Sequence, residues 1–139
     1  MSHFVLDASV ALAWFVDRSI DTYAVRVQER LLPGDRAVAP LLWRVEIANG
    51  FVVAERRGTL TAPDIEQAME KLEALRDRAI DYSEEAFALR RLLATAREFR
   101  LTAYDAEYLE TARDRHLPLA TLDNRLKEAA TQAGVELLR

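Results

Sequence analysis

The sequence predicts an α/β protein, a three-layer α/β/α sandwich in which a central parallel sheet of four to five strands lies between helices. Short apolar segments alternate along the chain with segments of helical length and spacing, which is the pattern of βαβ units. The apolar segments lack polar alternation, as expected of strands that are covered on both faces. Half of the 139 residues are hydrophobic, enough for one sizeable core. We therefore expect a single domain over residues 1–139.

Composition excludes several classes of function. The chain contains no cysteine, which excludes a disulfide scaffold, a thiolate metal site and a cysteine nucleophile. No apolar run approaches the roughly 20 residues that span a bilayer, and the N-terminus lacks the pattern of a secretion signal. We therefore expect a cytoplasmic protein with no membrane contact. The net charge of −4 gives no global attraction for nucleic acid, although an enzyme could still contact a few phosphates locally.

The first predicted strand, residues 4–6, is followed at once by an acid, Asp7. Residues 8–15 are good material for a buried helix, so Asp7 falls at a strand-to-helix turn. In open α/β sheets, ligands bind at this edge, outside the carboxyl ends of the strands. A helix over residues 19–32 and a short buried strand over residues 37–39 are predicted next.

The strongest helical pattern covers residues 41–57, and Gly58 stands where a C-cap glycine is expected. At 100° per residue, Glu46 projects at the edge of the apolar stripe of this helix. Thr61 is predicted to cap a further helix over residues 61–76, with Asp64 in the capping-box position. The predicted apolar stripe of the helix over residues 41–57 consists of Leu41, Leu42, Val45, Ala48, Val52 and Val53.

The remaining segments continue the alternation of strands and helices. Residues 79–81 are predicted to form a strand, and Ser83 is predicted to open a helix through residue 99. Asp105 lies near the start of a helix over residues 102–115, three residues before Tyr108, so both share the inward face. A strand over residues 117–121 is followed by Asp123, which opens a helix to residue 133, and residues 135–137 form the last predicted strand.

Four acids, Asp7, Glu46, Asp105 and Asp123, interrupt apolar contexts. Ionised carboxylates are rarely buried unless they are paired or bound to a metal. The predicted topology brings all four toward one edge of the sheet, where helix N-termini favour ionised acids. Four converging acids would require a cation.

Each acid also has a purely structural interpretation. Asp7 and Asp123 could be helix N-caps, which are common at strand-to-helix turns. Asp105 could belong to a capping box begun by Thr102. Glu46 could turn outward to pair with an arginine. The convergence of the set, rather than any single acid, favours a shared metal site.

The type of ligand indicates which metal would bind. The acids supply only oxygen, cysteine is absent, and the two histidines, His3 and His116, are distant from the acids in sequence. This ligand set favours Mg²⁺ or Mn²⁺ over zinc or copper. Such ions polarise a scissile phosphate, activate water as the nucleophile and neutralise the leaving oxygen.

Four short motifs resemble a known family. They are Asp7-Ala-Ser9, Glu46-Ile-Ala-Asn49, Tyr104-Asp105-Ala106 and Thr121-Leu-Asp123. In this order and at this spacing they are similar to the PIN domain, and within it to the VapC-type toxin ribonucleases of toxin–antitoxin pairs. The resemblance covers essentially the whole chain.

The resemblance implies a PIN-like fold and a metal-dependent endoribonuclease that cleaves RNA with water. It implies one or two Mg²⁺ or Mn²⁺ ions, because Asn124 and Arg125 stand where some members carry an extra acid. It also implies a homodimer, and inhibition by an antitoxin whose other end binds DNA. Asp7, Glu46, Asp105 and Asp123 match the metal ligands of the family, Ser9 and Thr121 match supporting hydroxyl positions, and Asn49 matches a polar residue one turn after Glu46.

Two other classes stay open at this point. A receiver-type or phosphatase-like α/β domain also has an Asp after its first strand, but a receiver needs a second neighbouring acid and a lysine after a late strand. The only lysines are Lys71 and Lys127, and neither is so placed. A catalytically silent binding module of the PIN fold is harder to exclude, because intact ligands do not guarantee turnover.

Overall fold

A four-stranded parallel sheet organises the part of the chain that this computed structural model describes, residues 2–17 and 19–139. Helices pack around the sheet, which confirms the predicted three-layer α/β/α architecture. The strands are β1 (His3–Leu6), β2 (Arg36–Pro40), β3 (Ile80–Ser83) and β4 (Leu119–Ala120). The helices are α1 (Ala8–Val16), α2 (Thr22–Leu31), α3 (Leu42–Arg56), α4 (Ala62–Ala79), α5 (Leu89–Phe99), α6 (Ala103–Arg115) and α7 (Asn124–Gln132).

The strand order, β3-β2-β1-β4, determines where the site lies. From β1 the chain proceeds to β2 and β3 on one side, and it returns on the other side of β1 as β4. In the register of the parallel pairs, Val5 is paired with both Val38 of β2 and Leu119 of β4. The strand order therefore reverses between β1 and β4, and such a reversal opens a crevice at the carboxyl ends of the strands.

The core is built on β1. Phe4, Val5 and Leu6 are fully buried, as predicted for a strand that is covered on both faces. Helix α1 packs against α2 and α3, whereas α6 packs against the strands and against α5 and α7. None of the helices that the structure describes is both long enough and apolar enough to cross a membrane.

The predicted apolar stripe of α3 is wrong. The buried side chains of this helix are Trp43, Ile47, Phe51 and Ala54, whereas Val45 is 64% exposed. Both sets recur at helical spacing, but the bulkier side chains bury more apolar area and therefore take the inward face. Glu46 is half-buried beside the observed stripe.

The predicted helix from Ser83 begins six residues later, at Leu89. Ser83 instead ends β3, where it pairs with Pro40, and its buried Oγ accepts a hydrogen bond from Arg115 Nη2 (3.3 Å). Because strand pairing occupies this residue, it is not available as a helix cap. Leu89, the first residue of the observed helix, is 81% exposed.

The ends of the other elements follow ordinary capping rules. Thr61 caps α4 in a capping box with Asp64, and Gly58 ends α3 with φ at 74°, both as predicted. Helix α2 begins later than predicted because Asp21 caps it. The strand predicted at residues 135–137 is reduced to a single bridge between Leu119 and Leu137.

Candidate functional site

Asp7 lies at the end of β1 and is 4% exposed. It occupies the N-cap position of α1, but its side chain makes no capping hydrogen bond. Instead, its Oδ2 accepts hydrogen bonds from Ser9 Oγ and from Thr121 Oγ1, each at 2.7 Å. The capping interpretation of Asp7 is therefore wrong, and its carboxylate lies beside the turn after β4, at the edge of the sheet that we call the acidic crevice.

The two hydroxyls that hold Asp7 are themselves oriented by the backbone. Ser9 Oγ accepts from the backbone N–H of Leu122 (3.0 Å), and Thr121 Oγ1 accepts from that of Asp123 (3.0 Å). Each hydroxyl oxygen thus receives an amide proton and directs its own proton at Asp7. These contacts join α1 to the turn after β4.

Asp123 follows β4 and does cap its helix. Its Oδ1 accepts hydrogen bonds from the backbone N–H groups of Arg125 (2.8 Å) and Leu126 (3.1 Å). One carboxylate oxygen is thereby held against the N-terminus of α7. Such a cap is compatible with a second role for the same acid, because a carboxylate has two oxygens that accept hydrogen bonds or coordinate a cation.

Glu46 enters the crevice from α3. Its Oε1 accepts a hydrogen bond of 2.6 Å from the hydroxyl of Tyr108, which lies on α6 and is fully buried. Tyr108 was predicted only to share the inward face with Asp105, and its contact with Glu46 was not foreseen. The available signal was chemical, since a buried phenol requires a hydrogen-bond partner.

Asp105 lies in the first turn of α6. Thr102 caps this helix, because its Oγ1 accepts a hydrogen bond from the backbone N–H of Asp105 (3.1 Å). The Asp105 side chain is half-buried. Helix α6 thus presents Asp105 and Tyr108, one turn apart, on the face toward the crevice.

The four acids lie near enough to one another for charges within the set to contribute to raised carboxyl pKa values. The pKa of Asp105 is raised to about 6, mainly by burial and in addition by the charges of Asp123 and Asp7. Burial also raises the pKa of Asp7, with a contribution from Asp123, although its hydroxyl partners oppose the shift. The pKa of Glu46 is raised mainly by burial, against the hydrogen bond from Tyr108. The charges of Asp7 and Asp105 add to the shift at Glu46.

A divalent cation suits this set of donors. Every donor is an oxygen atom, and no Lys or Arg among residues 2–17 and 19–139 forms an ion pair with any of the four acids. Over the same residues, no three acidic or histidine side chains lie close enough to form a ligand set around one ion. Because like charges repel, we expect the carboxylates to stand apart until a cation compensates them.

The remaining predicted residues lie elsewhere. Asn49 is exposed on α3, and within the described chain it makes no hydrogen bond to the acids. His3 begins β1 and His116 ends α6, so each lies at the opposite end of its element from the nearby acid. This placement agrees with a metal ligand set made of oxygen alone.

The raised carboxylate pKa values predict that the metal-free protein loses stability as the pH rises. In the folded protein Asp105 binds its proton more tightly than in the unfolded chain. The stabilisation from this proton is fully present below the ordinary pKa of 3.8 and is lost as the pH rises through about 6. Asp105→Asn should raise the free energy of unfolding at pH 7 by about 1 kcal/mol, after a reduction for solvent screening at this half-exposed group. Urea unfolding in EDTA from pH 4 to pH 7 measures both effects.

Asp81→Asn is the matched control for this prediction. The guanidinium of Arg36 lowers the pKa of Asp81, so this variant should lose stability at neutral pH, a change of the opposite sign. An Asp105→Asn variant with the same pH dependence as the unmodified protein would contradict the prediction.

Comparisons with known proteins agree with the fold. Residues 4–132 match the model of the PIN domain family. The structure resembles the crystal structure of PAE2754 from Pyrobaculum aerophilum, with a TM-score of 0.69 and 22% identity over 92% of this chain and 84% of that one. It also resembles the crystal structure of FitAcB from Neisseria gonorrhoeae, with a TM-score of 0.63 and 19% identity over 98% and 96% of the two chains. No curated protein matches the sequence.

The parallel sheet, its reversal between β1 and β4 and the acids near that edge define an α/β protein with an acidic site at the carboxyl ends of its strands. The family match covers most of the chain, and the protein therefore belongs to the PIN domain family, whose members are typically metal-dependent nucleases. Membership of the PIN domain family argues against the receiver-type alternative that the sequence left open.

Proposed function

We propose that this protein is an endoribonuclease that hydrolyses RNA with one or two Mg²⁺ or Mn²⁺ ions. The observation that carries the proposal is that Asp7, Glu46, Asp105 and Asp123 lie near one another at the reversal of the sheet, where burial and charges within the set raise the pKa values of Asp7, Glu46 and Asp105. Among the described residues no Lys or Arg forms an ion pair with these acids, and such a set suits a cation that also binds phosphate. The proposed nuclease unit spans residues 1–139.

In this mechanism the four carboxylates would hold the metal, which would supply Lewis acidity toward the phosphate and activate a water molecule. Ser9 and Thr121 fix Asp7 through neutral hydrogen bonds, so its orientation is set while its negative charge is retained. The backbone amides of α7 do the same for Asp123. The protein therefore fixes its ligands by neutral donors and leaves their charge for the cation.

We further propose that the enzyme is the toxin of a toxin–antitoxin pair and acts in the cytoplasm as a homodimer. The order and spacing of the four acidic motifs support this assignment, since they resemble VapC-type toxins. Exposed apolar side chains supply surface for a second copy or for an antitoxin: Val45 and Val52 on α3, and Leu89 and Leu93 on α5. Sedimentation of the purified chain alone tests the homodimer. Sedimentation after co-expression with the neighbouring gene product tests the antitoxin complex.

Cleavage of a labelled RNA by the purified protein tests the nuclease activity. We expect internal cuts in single-stranded RNA when Mg²⁺ or Mn²⁺ is present, and little cleavage of DNA of the same sequence. Mapping cuts across total RNA after brief induction would then identify the target. Failure to cut any RNA under conditions in which the metal binds would refute the proposal.

A catalytically silent PIN-fold binding module is the second candidate. The observation that favours it is the spacing of the acids, because in the described chain no three of them form a preassembled ligand set. This candidate predicts that metal protects the protein from thermal unfolding without any RNA cleavage. The endoribonuclease hypothesis predicts both metal protection and RNA cleavage.

A further inference from the structure

Tyr108 makes a contact that joins two of the helices lining the acidic crevice. Its side chain is fully buried, and its hydroxyl donates to Glu46 Oε1 across 62 positions of sequence at 2.6 Å. This distance lies in the range of strong hydrogen bonds between a hydroxyl and a carboxylate, about 2.5–2.7 Å. The phenol is held by the core, so it is a rigid donor for a flexible acid.

Glu46 needs such a donor more than the other three acids do. A glutamate side chain has three rotatable bonds, and fixing it costs more conformational entropy than fixing an aspartate. Asp7 is fixed by two hydroxyls and Asp123 by two backbone amides. Within the described chain, Tyr108 is the side chain that makes a hydrogen bond to Glu46.

The buried acid Glu110, also on α6, is an example of a structural carboxylate in this fold. Glu110 is 2% exposed, and it is bound by two cations, Arg91 (2.6 Å) and Arg113 (3.2 Å), as well as by the hydroxyl of Thr95 (2.6 Å). Its charge is therefore compensated within the protein. Among the described residues, the donor to Glu46 is a neutral hydroxyl, which orients the carboxylate without compensating its charge.

We propose that Tyr108 is a positioning residue for the metal centre, which holds Oε1 of Glu46 and leaves Oε2 available to a cation. The proposal rests on the proposed function, in which Glu46 is a metal ligand. Helix α6 then has two tasks, because it supplies Asp105 directly and orients Glu46 through Tyr108. Groups that orient a metal ligand typically change metal affinity by about 10- to 100-fold when they are removed.

Tyr108→Phe tests this role, because the variant keeps the ring and removes only the hydroxyl. Isothermal titration with Mn²⁺ in the absence of RNA should give a dissociation constant raised by about 10- to 100-fold. In a Glu46→Gln background, the same substitution should change the affinity by less than about twofold, since its effect acts through Glu46.

Thr95→Val is the matched control. It removes a hydrogen bond of the same kind and length, from a buried hydroxyl to a carboxylate at 2.6 Å, on the far side of α6 from the crevice. Both variants should shift the unfolding midpoint by a similar amount, whereas only Tyr108→Phe should weaken Mn²⁺ binding.

The possible outcomes separate the two proposals. If the unmodified protein binds no Mn²⁺, the proposed function fails. If the unmodified protein binds Mn²⁺ and Tyr108→Phe binds it equally well, or if Thr95→Val weakens binding as much, the role of Tyr108 is refuted while the metal centre stands.

Discussion

Asp7→Asn is expected to reduce RNA cleavage by at least about 100-fold. A metal ion contributes several kcal/mol of transition-state stabilisation, and each 1.4 kcal/mol corresponds to a factor of ten in rate. Asp7 is the most buried of the four acids, and its charge interacts with those of Glu46 and Asp105. Single-turnover cleavage of a labelled RNA measures the loss.

The fold of this variant should be retained. Asparagine has the same shape, and its carbonyl oxygen can still accept the hydrogen bonds from Ser9 and Thr121. Removal of one charge from a repelling set should leave the metal-free protein as stable as before or slightly more stable. Asp81→Asn, on the far edge strand β3, serves as the control and should cleave normally. Full activity in Asp7→Asn would rule out the metal-site interpretation.

Chelation is expected to have an effect of similar size. EDTA should abolish RNA cleavage, and added Mg²⁺ or Mn²⁺ should restore it. At a concentration 100 times the dissociation constant, the metal should raise the free energy of unfolding by about 2.7 kcal/mol, because it binds only the folded state. Urea unfolding with and without metal measures this stabilisation.

The stabilisation should disappear in the double variant Asp7→Asn and Asp105→Asn, which lacks two of the proposed ligands. Cleavage that is indifferent to chelator would count against a metal-dependent enzyme even if the protein proved to be a nuclease.

The fold class follows from the sequence because strand and helix periods are local properties. The choice between two apolar faces of one helix is not local, and α3 shows this. Its inward residues, Trp43, Ile47 and Phe51, and its outward residues, Val45 and Val52, both recur at helical spacing. The bulkier set is buried because it fills the volume that the neighbouring elements leave beside the sheet, and that volume is not visible in the local sequence.

The same distinction applies to the candidate site. Asp7 could be placed at the sheet edge because it follows a strand, and Asp105 could be placed inward from its helical phase. The hydrogen bond between Tyr108 and Glu46 joins residues 62 positions apart, and no local pattern specifies it. At Ser83 the local sequence did predict a feature, a helix start, but strand pairing with Pro40 places the residue in β3 instead.

The strand order also determines when the site can be completed during synthesis. One of the two neighbours of β1, β4, is made only after β2, β3 and helices α1 to α6. Thr121, which holds Asp7, lies 114 positions after it in the chain. Domains are completed as units once their distant partners have emerged. A nascent chain therefore lacks Thr121, and with it one of the two hydroxyls that hold Asp7, until β4 and the turn after it have been made.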